Sequence, residues 1–144
     1  MFANGKALNK ATVTGVDIVQ VERFEKWRTF SKKSILRIFS AEEFAYAAAN
    51  DHFFAQRLAV RFAAKEAFLK AVQQILPNYR FSLLQIANAI SVSKHPNGTP
   101  FLNISYKQLP IPLTTQQFTT TVSLSHSQCC AIATVTVTFE HTLL

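Results

Sequence analysis

The longest helix the sequence predicts runs over about 52–76, and it limits most strongly what the chain can build. Asp51 stands where a helix cap belongs, and Pro77-Asn78 ends the run. Between them Leu58, Phe62, Leu69, Val72 and Leu76 recur at steps of 4, 7, 3 and 4, which is one face of a helix over about 52–76. Around that helix the first half reads as short elements. Residues 12–21, TVTGVDIVQV, are rich in β-branched side chains and read as a strand. Residues 22–31 carry Phe24, Trp27 and Phe30 and read as a short helix. Ser40-Ala-Glu-Glu43 is a capping-box signature that opens a helix through about Ala49. The second half changes character. Strands are expected over 84–93, 101–106, 118–125 and 130–139, with a turn at His95–Pro100 marked by Asn97-Gly98 and a break at Pro110-Ile-Pro112. Helices early and strands late predict an α+β fold with a mainly antiparallel sheet. A chain of 144 residues buries roughly 70% of its unfolded surface, so 1–144 is expected to be one domain, with 1–11 as an N-terminal extension.

Several classes are excluded. Apolar residues make up 49% and Phe alone numbers 13, too many for a disordered chain. No window of about 18 residues lacks a polar break, so no membrane-spanning helix is expected. No apolar run precedes Asp17, which argues against a secretory signal. The only cysteines, Cys129 and Cys130, are neighbours, so a disulfide framework and a thiolate metal site are excluded and a reducing, cytoplasmic setting fits. Both are read as packing at the start of a strand.

Charge is uneven. Lys plus Arg is 15 against 8 for Asp plus Glu, a net +7, and no carboxylate lies between Glu66 and Glu140. Residues 23–37 hold six cations against Glu25 alone, a patch that would attract nucleic acid, a phosphorylated small molecule or an acidic protein. The spacing of three between Phe24, Trp27 and Phe30 reads as a buried stripe, not a base-stacking platform.

The groups able to do chemistry are few. On the long helix Glu66 and Lys70 share a face, and Arg57, Arg61 and Lys65 form a second row four residues apart. Three cations in a row repel unless an anion compensates them, and a phosphate-bearing ligand would do so. Asp17 sits in the apolar run Val16-Asp-Ile-Val, where a carboxylate is costly unless paired or bound to a metal. With Glu66 it makes two carboxylates able to hold a hard divalent ion such as Mg²⁺. His126, between Ser125 and Ser127 at the end of a strand, can meet phosphate oxygens or act as acid or base. No Gly-x-Ser-x-Gly elbow supports a serine hydrolase, and His52, His95 and His141 show no metal spacing.

Four segments in order, Gly15-Val-Asp17-Ile-Val, Arg61-Phe-Ala-Ala-Lys65-Glu66-Ala-Phe-Leu-Lys70, Asn97-Gly-Thr-Pro100 and Val122-Ser-Leu-Ser-His126-Ser, resemble the holo-acyl-carrier-protein synthases, the small 4′-phosphopantetheinyl transferases. Together they frame residues 12 to about 139. The resemblance implies a sheet packed on one long helix, a homotrimer, and transfer of phosphopantetheine from coenzyme A to a serine of apo acyl carrier protein, releasing adenosine 3′,5′-bisphosphate, as part of fatty-acid synthesis in the cytoplasm. It implies Asp17 and Glu66 as Mg²⁺ ligands and, with Lys70, as the catalytic group. It implies Arg57, Arg61, Asn97, Gly98, Pro100 and His126 as the coenzyme A site and Arg23 as the contact to the acidic carrier protein. Nucleic acid and membrane are not expected partners. The chain departs from the family where Gln74-Ile-Leu-Pro-Asn-Tyr79 replaces a common Gly-Thr-Gly loop, and where Gln20 takes the place of a common acid. An inactive coenzyme A-binding or nucleotide-binding module of the same fold is the alternative: it would hold Mg²⁺ without transfer.

Overall fold

In the computed structural model, which describes residues 8–110 and 118–142, β1 (Leu8–Gln20) and β5 (Cys130–Thr142) pair antiparallel along their whole length. β4 (Phe118–His126) flanks β5 on its other side, giving the order β1-β5-β4. β1 begins four residues earlier than its β-branched run, where the pairing with β5 continues and Lys10 meets Glu140 across the strands at 3.0 Å; Thr12 and Thr14 add hydroxyl contacts of 3.1 and 3.2 Å to Thr138 and Thr136. The two-residue alternation gives this sheet two different faces. Ala131, Ala133, Val135 and Val137 point inward and are buried, in line with Gly15, Asp17 and Val19 of β1 and with Val122, Leu124 and His126 of β4. Val16, Ile18 and Ile132 point the other way, and Ile18 is 64% exposed.

The inner face is covered by the long helix, α4 (Phe54–Ile75), which also packs on α1 (Glu22–Glu25), α3 (Ala41–Ala48), α5 (Leu83–Ile86) and β2 (Ile90–Lys94). It is therefore the centre of the molecule, and the single stripe read from the sequence is too narrow. Fourteen of its residues are buried, among them Ala55, Ala59, Ala63, Ala64, Ala67 and Ala71, whose small side chains let neighbours approach from several sides. Gly15 marks the closest approach: a Cβ there would lie 1.8 Å from the Ala67 carbonyl oxygen and 2.8 Å from the Ala71 amide nitrogen.

The smaller elements follow local signals, with corrections. Ser40 and Glu43 form the reciprocal capping box at the start of α3. The helix expected over 22–31 breaks into α1 and a 3₁₀ turn at Lys26–Thr29, and a further short helix, α2 (Lys32–Ile35), opens at Ser31. Asp51 does not cap the long helix. Asn50 caps a 3₁₀ turn at Asp51–Phe53, while the Asp51 side chain is taken by Arg28. The strand expected over 84–93 forms only from Ile90. Before it lie α5 and a 3₁₀ turn at Ala87–Ala89, opened by a Ser82–Gln85 capping box. β2 turns through Gly98, at φ +85°, into β3 (Pro100–Ile104), and the pair forms a second, two-stranded sheet. Tyr106, expected in that strand, lies instead in a 3₁₀ turn at Tyr106–Gln108. Cys129 is exposed in the β4–β5 turn, which corrects its assignment to packing; Ser127 Oγ accepts from both cysteine amides there. Residues 1–7 of the expected extension and 111–117, with most of the Pro110–Pro112 break, lie outside the described residues.

Candidate active site

β1 and α4, held together at Gly15, bring Asp17 against the face of α4 that carries Glu66 and Lys70. Lys70 Nζ donates to Asp17 Oδ1 at 2.8 Å and to the Val16 carbonyl at 3.1 Å. One turn further on, Gln74 donates to the Thr14 carbonyl at 2.7 Å and fastens the same strand. Glu66 is half-buried. Burial pushes its carboxyl above the usual carboxylate range, the nearby Asp17 charge adds to the rise, and Lys70 and Arg23 oppose it. The second Asp17 oxygen, Oδ2, is buried with no hydrogen-bond partner. Two close carboxylates and an orphaned buried oxygen fit the needs of a hard, oxygen-seeking cation.

A cavity of about 380 Å³ opens along the inner face of the same sheet. Arg57, Arg61, Gly98, Pro100 and His126 line it, so five of the six residues predicted for one ligand meet in one place. Asn97 does not line it. Its side chain accepts the Thr99 amide at 3.0 Å and shapes the turn that presents Gly98. The cavity and the carboxylates are linked through the sheet: Leu124, in the cavity wall, lies in one cross-strand row with Ala133 and Asp17. Arg61 and Lys70 are nine residues apart, about 14 Å along the axis of α4, so a ligand that reaches both is elongated.

Lys65 does not belong to the ligand-facing row. Its side chain is fully buried, and Nζ donates to Glu43 Oε2 at 2.8 Å, the Ile38 carbonyl at 2.6 Å and the Ala87 carbonyl at 3.1 Å. Three acceptors match the three protons of an ammonium. Burial presses its pKa below the ordinary lysine value, while the Glu43 carboxylate holds the proton on. Glu43, read from the sequence as a cap alone, also accepts the Val92 amide on Oε1 at 2.8 Å. The anion required by the row is thus in part inside the protein. Glu43 escaped because its second role depends on where β2 passes. Tyr46 and Lys94 escaped for the same reason: they line the cavity only because α3 and β2 meet there.

Arg23 borders a shallow depression with Gln20, Glu22 and Lys26, and its charge reaches Glu66. The basic segment is less free than its composition suggests, since Arg28 is held by Glu25 at 2.9 Å and by Asp51. Phe24 is buried and its ring lies 5.4 Å from that of the half-buried Trp27, whereas Phe30 is 46% exposed, so the stripe is fully buried only in its first member.

The sequence profile of the 4′-phosphopantetheinyl transferase superfamily matches residues 14–133. Among curated relatives, the holo-acyl-carrier-protein synthase of Treponema denticola is 36% identical over 85% of this chain and 94% of its own length. That of Syntrophus aciditrophicus is 37% identical over 85% and 91%. Among solved structures, the ACPS–CoA complex of Chronobacterium ammoniagenes has the same fold, with a TM-score of 0.76 at 23% identity, covering 91% of this chain and 99% of that one. The holo-acyl-carrier-protein synthase from Bacillus anthracis, in complex with CoA (3′,5′-ADP), matches with a TM-score of 0.66 at 27% identity, over 90% and 99%.

Proposed function

The chain belongs to the 4′-phosphopantetheinyl transferase superfamily, and from that premise we propose how it works as a holo-acyl-carrier-protein synthase. The reaction moves the phosphopantetheine arm of coenzyme A to a serine of apo acyl carrier protein. The serine oxygen forms a bond to the β-phosphorus, the bond from that phosphorus to the bridging oxygen breaks, and adenosine 3′,5′-bisphosphate leaves.

The observation that carries the residue assignment is the convergence of Asp17, Glu66 and Lys70 on the sheet face that carries, two strands over, a cavity lined by cations. Asp17 and Glu66 are the residues that would hold Mg²⁺, with the orphaned Asp17 oxygen as the strongest support. Bound there, the ion would offset the negative charge that builds on the diphosphate oxygens. Lys70 sets its ammonium against the bridging oxygen and stabilises it as the bond breaks. Glu66 accepts the proton of the serine hydroxyl as general base. Arg57, Arg61 and His126 hold the nucleotide phosphates. Pro100 and the turn shaped by Asn97 and Gly98 border the adenine. Arg23, on the rim next to Glu66, receives the acidic carrier protein.

The exposed apolar strip of Val16, Ile18 and Ile132 supports a homotrimer in which this face is covered by another copy. Fatty-acid synthesis and the cytoplasm are the proposed setting. No helix of the described residues is long and apolar enough to cross a membrane.

The test is direct. Incubation with coenzyme A, Mg²⁺ and apo acyl carrier protein should add the mass of one phosphopantetheine to the carrier, and a chelator should abolish the gain. Bound coenzyme A without any transfer would favour the inactive binding module.

A further inference from the structure

Glu43 ties α3, β2 and α4 together at one level, and each of these elements carries a second residue one step toward the cavity. On α3 it is Tyr46, three residues after Glu43. On β2 it is Lys94, two residues after the Val92 amide that Glu43 accepts. On α4 it is Arg61, four residues before Lys65. These second residues meet. Lys94 Nζ donates to the Tyr46 hydroxyl at 3.0 Å. The guanidinium carbon of Arg61 lies 4.3 Å from the Tyr46 ring centroid and that of Arg57 lies 4.2 Å away. Arg57 also donates to the Tyr46 carbonyl. One ring therefore holds three cations.

The arrangement has an unmet need. Among the described residues no carboxylate lines the cavity, and the Glu43 carboxylate is already shared by Lys65 and two backbone amides. Arg61 is 96% buried; one terminal nitrogen donates to the Arg57 carbonyl at 3.0 Å, and its Nε has no partner among the described residues. A guanidinium held over a ring keeps its N–H groups free to fork onto phosphate oxygens. Three cations at one spot suit a doubly charged group better than a singly charged one.

We infer that Tyr46 is a positioning residue: it holds Arg57, Arg61 and Lys94 as one receptor for a dianionic phosphomonoester. This rests on the function proposed above, in which that group is the 3′-phosphate of coenzyme A and of the released bisphosphate. It remains unchanged through the reaction, so binding it holds the nucleotide without entering the bond that breaks. Tyr46 then governs how tightly the nucleotide is held and how well its 3′-phosphate is told apart, and it leaves the chemistry at Glu66 and Lys70 alone.

The experiment compares the parent, Tyr46→Leu and Tyr46→Phe as full chains. Calorimetry reads the Kd for adenosine 3′,5′-bisphosphate and for adenosine 5′-phosphate. Kinetics reads KM and kcat with coenzyme A and with its 3′-dephospho form. Losing the ring should weaken bisphosphate binding by about tenfold or more, the scale of one or two lost cation–ring contacts. Binding of the monophosphate should weaken less than that of the bisphosphate, because it lacks the 3′ dianion the receptor holds, and kcat at saturation should change by less than about threefold. Tyr46→Phe keeps the ring and loses only the Lys94 link, so its loss should be smaller. Equal weakening of both nucleotides, or a bisphosphate affinity that Tyr46→Leu leaves intact, would overturn the assignment. If Tyr46→Leu melts early, Lys94→Gln takes its place, and an unchanged preference for the bisphosphate overturns the proposal. A parent that binds the bisphosphate selectively yet transfers nothing would sink the transferase reading and leave the Tyr46 receptor standing.

Discussion

At the scale of single residues, the site was legible where one element sets its geometry and obscure where two elements must meet. Glu66 and Lys70 are four apart on a helix, so their shared face follows from spacing alone. Asp17 stood out as a charge inside an apolar run. Tyr46, Lys94 and the second role of Glu43 depend on how α3 lies against β2, which no periodicity reveals. The proposed roles make firm demands. Glu66→Gln removes one charge at nearly constant volume, so kcat should fall by at least about a hundredfold, and Asp17→Asn should act alike. Full turnover by Glu66→Gln would remove that residue from the mechanism. The same variant tests the raised Glu66 pKa in the metal-free protein. A carboxyl whose folded pKa lies above its unfolded one loses stability as pH rises between the two values. Thermal melts of the parent should therefore weaken across that window, while Glu66→Gln should lack this component.

The buried pair makes the opposite demand. Lys65→Met leaves Glu43 charged inside the core and should cost about 3–5 kcal/mol, read by urea denaturation at constant slope. A cost below about 1 kcal/mol would mean that Glu43 takes a proton and survives without its partner.

At the scale of elements, local chemistry fixed the ends of segments better than their type. The stretch 84–89 looked like weak alternation, yet Ser82 and Gln85 form a capping box, and that three-residue signal was present in the sequence. Asn50 and Asp51 are both good caps, so only the position of Arg28 decides between them. The long helix was legible in extent but not in surroundings, because alanines count weakly in a hydrophobic stripe although they mark where elements press closest. Gly15 is the sharpest case. Gly15→Ala would drive a methyl into the Ala67 carbonyl and force β1 away from α4. The expected cost is about 1–3 kcal/mol or more, with transferase activity falling further than stability because Asp17 moves with the strand. A variant with the parent's melting temperature and activity would show that the approach has slack.

For the whole molecule, charge and exposed surface set the associations. Arg23 sits with Lys26 at the rim by Glu66, while Arg28 is already paired. Arg23→Glu should raise KM for the carrier protein at least about tenfold and leave that for coenzyme A nearly unchanged, and the parent's rate should drop with added salt. Equal effects on both substrates would place Arg23 elsewhere in the mechanism. Ile18, at the centre of the outer sheet face, offers the test of assembly: Ile18→Asp should convert a trimer into monomers by light scattering. A parent that runs as a monomer at micromolar concentration would refute the assembly.

The pairing of Lys65 with Glu43 also limits how this sequence can change over generations. Lys65 is ion-paired with Glu43 inside the core, and Glu43 at the same time caps a helix and receives a strand. Losing either one alone strands a charge in the core, whereas losing both together leaves a cap and a strand amide to be replaced. An apolar version of this hub lies several coordinated steps away, with every intermediate less stable than the start. The pair is therefore a historical latch, kept in place by the cost of the route out.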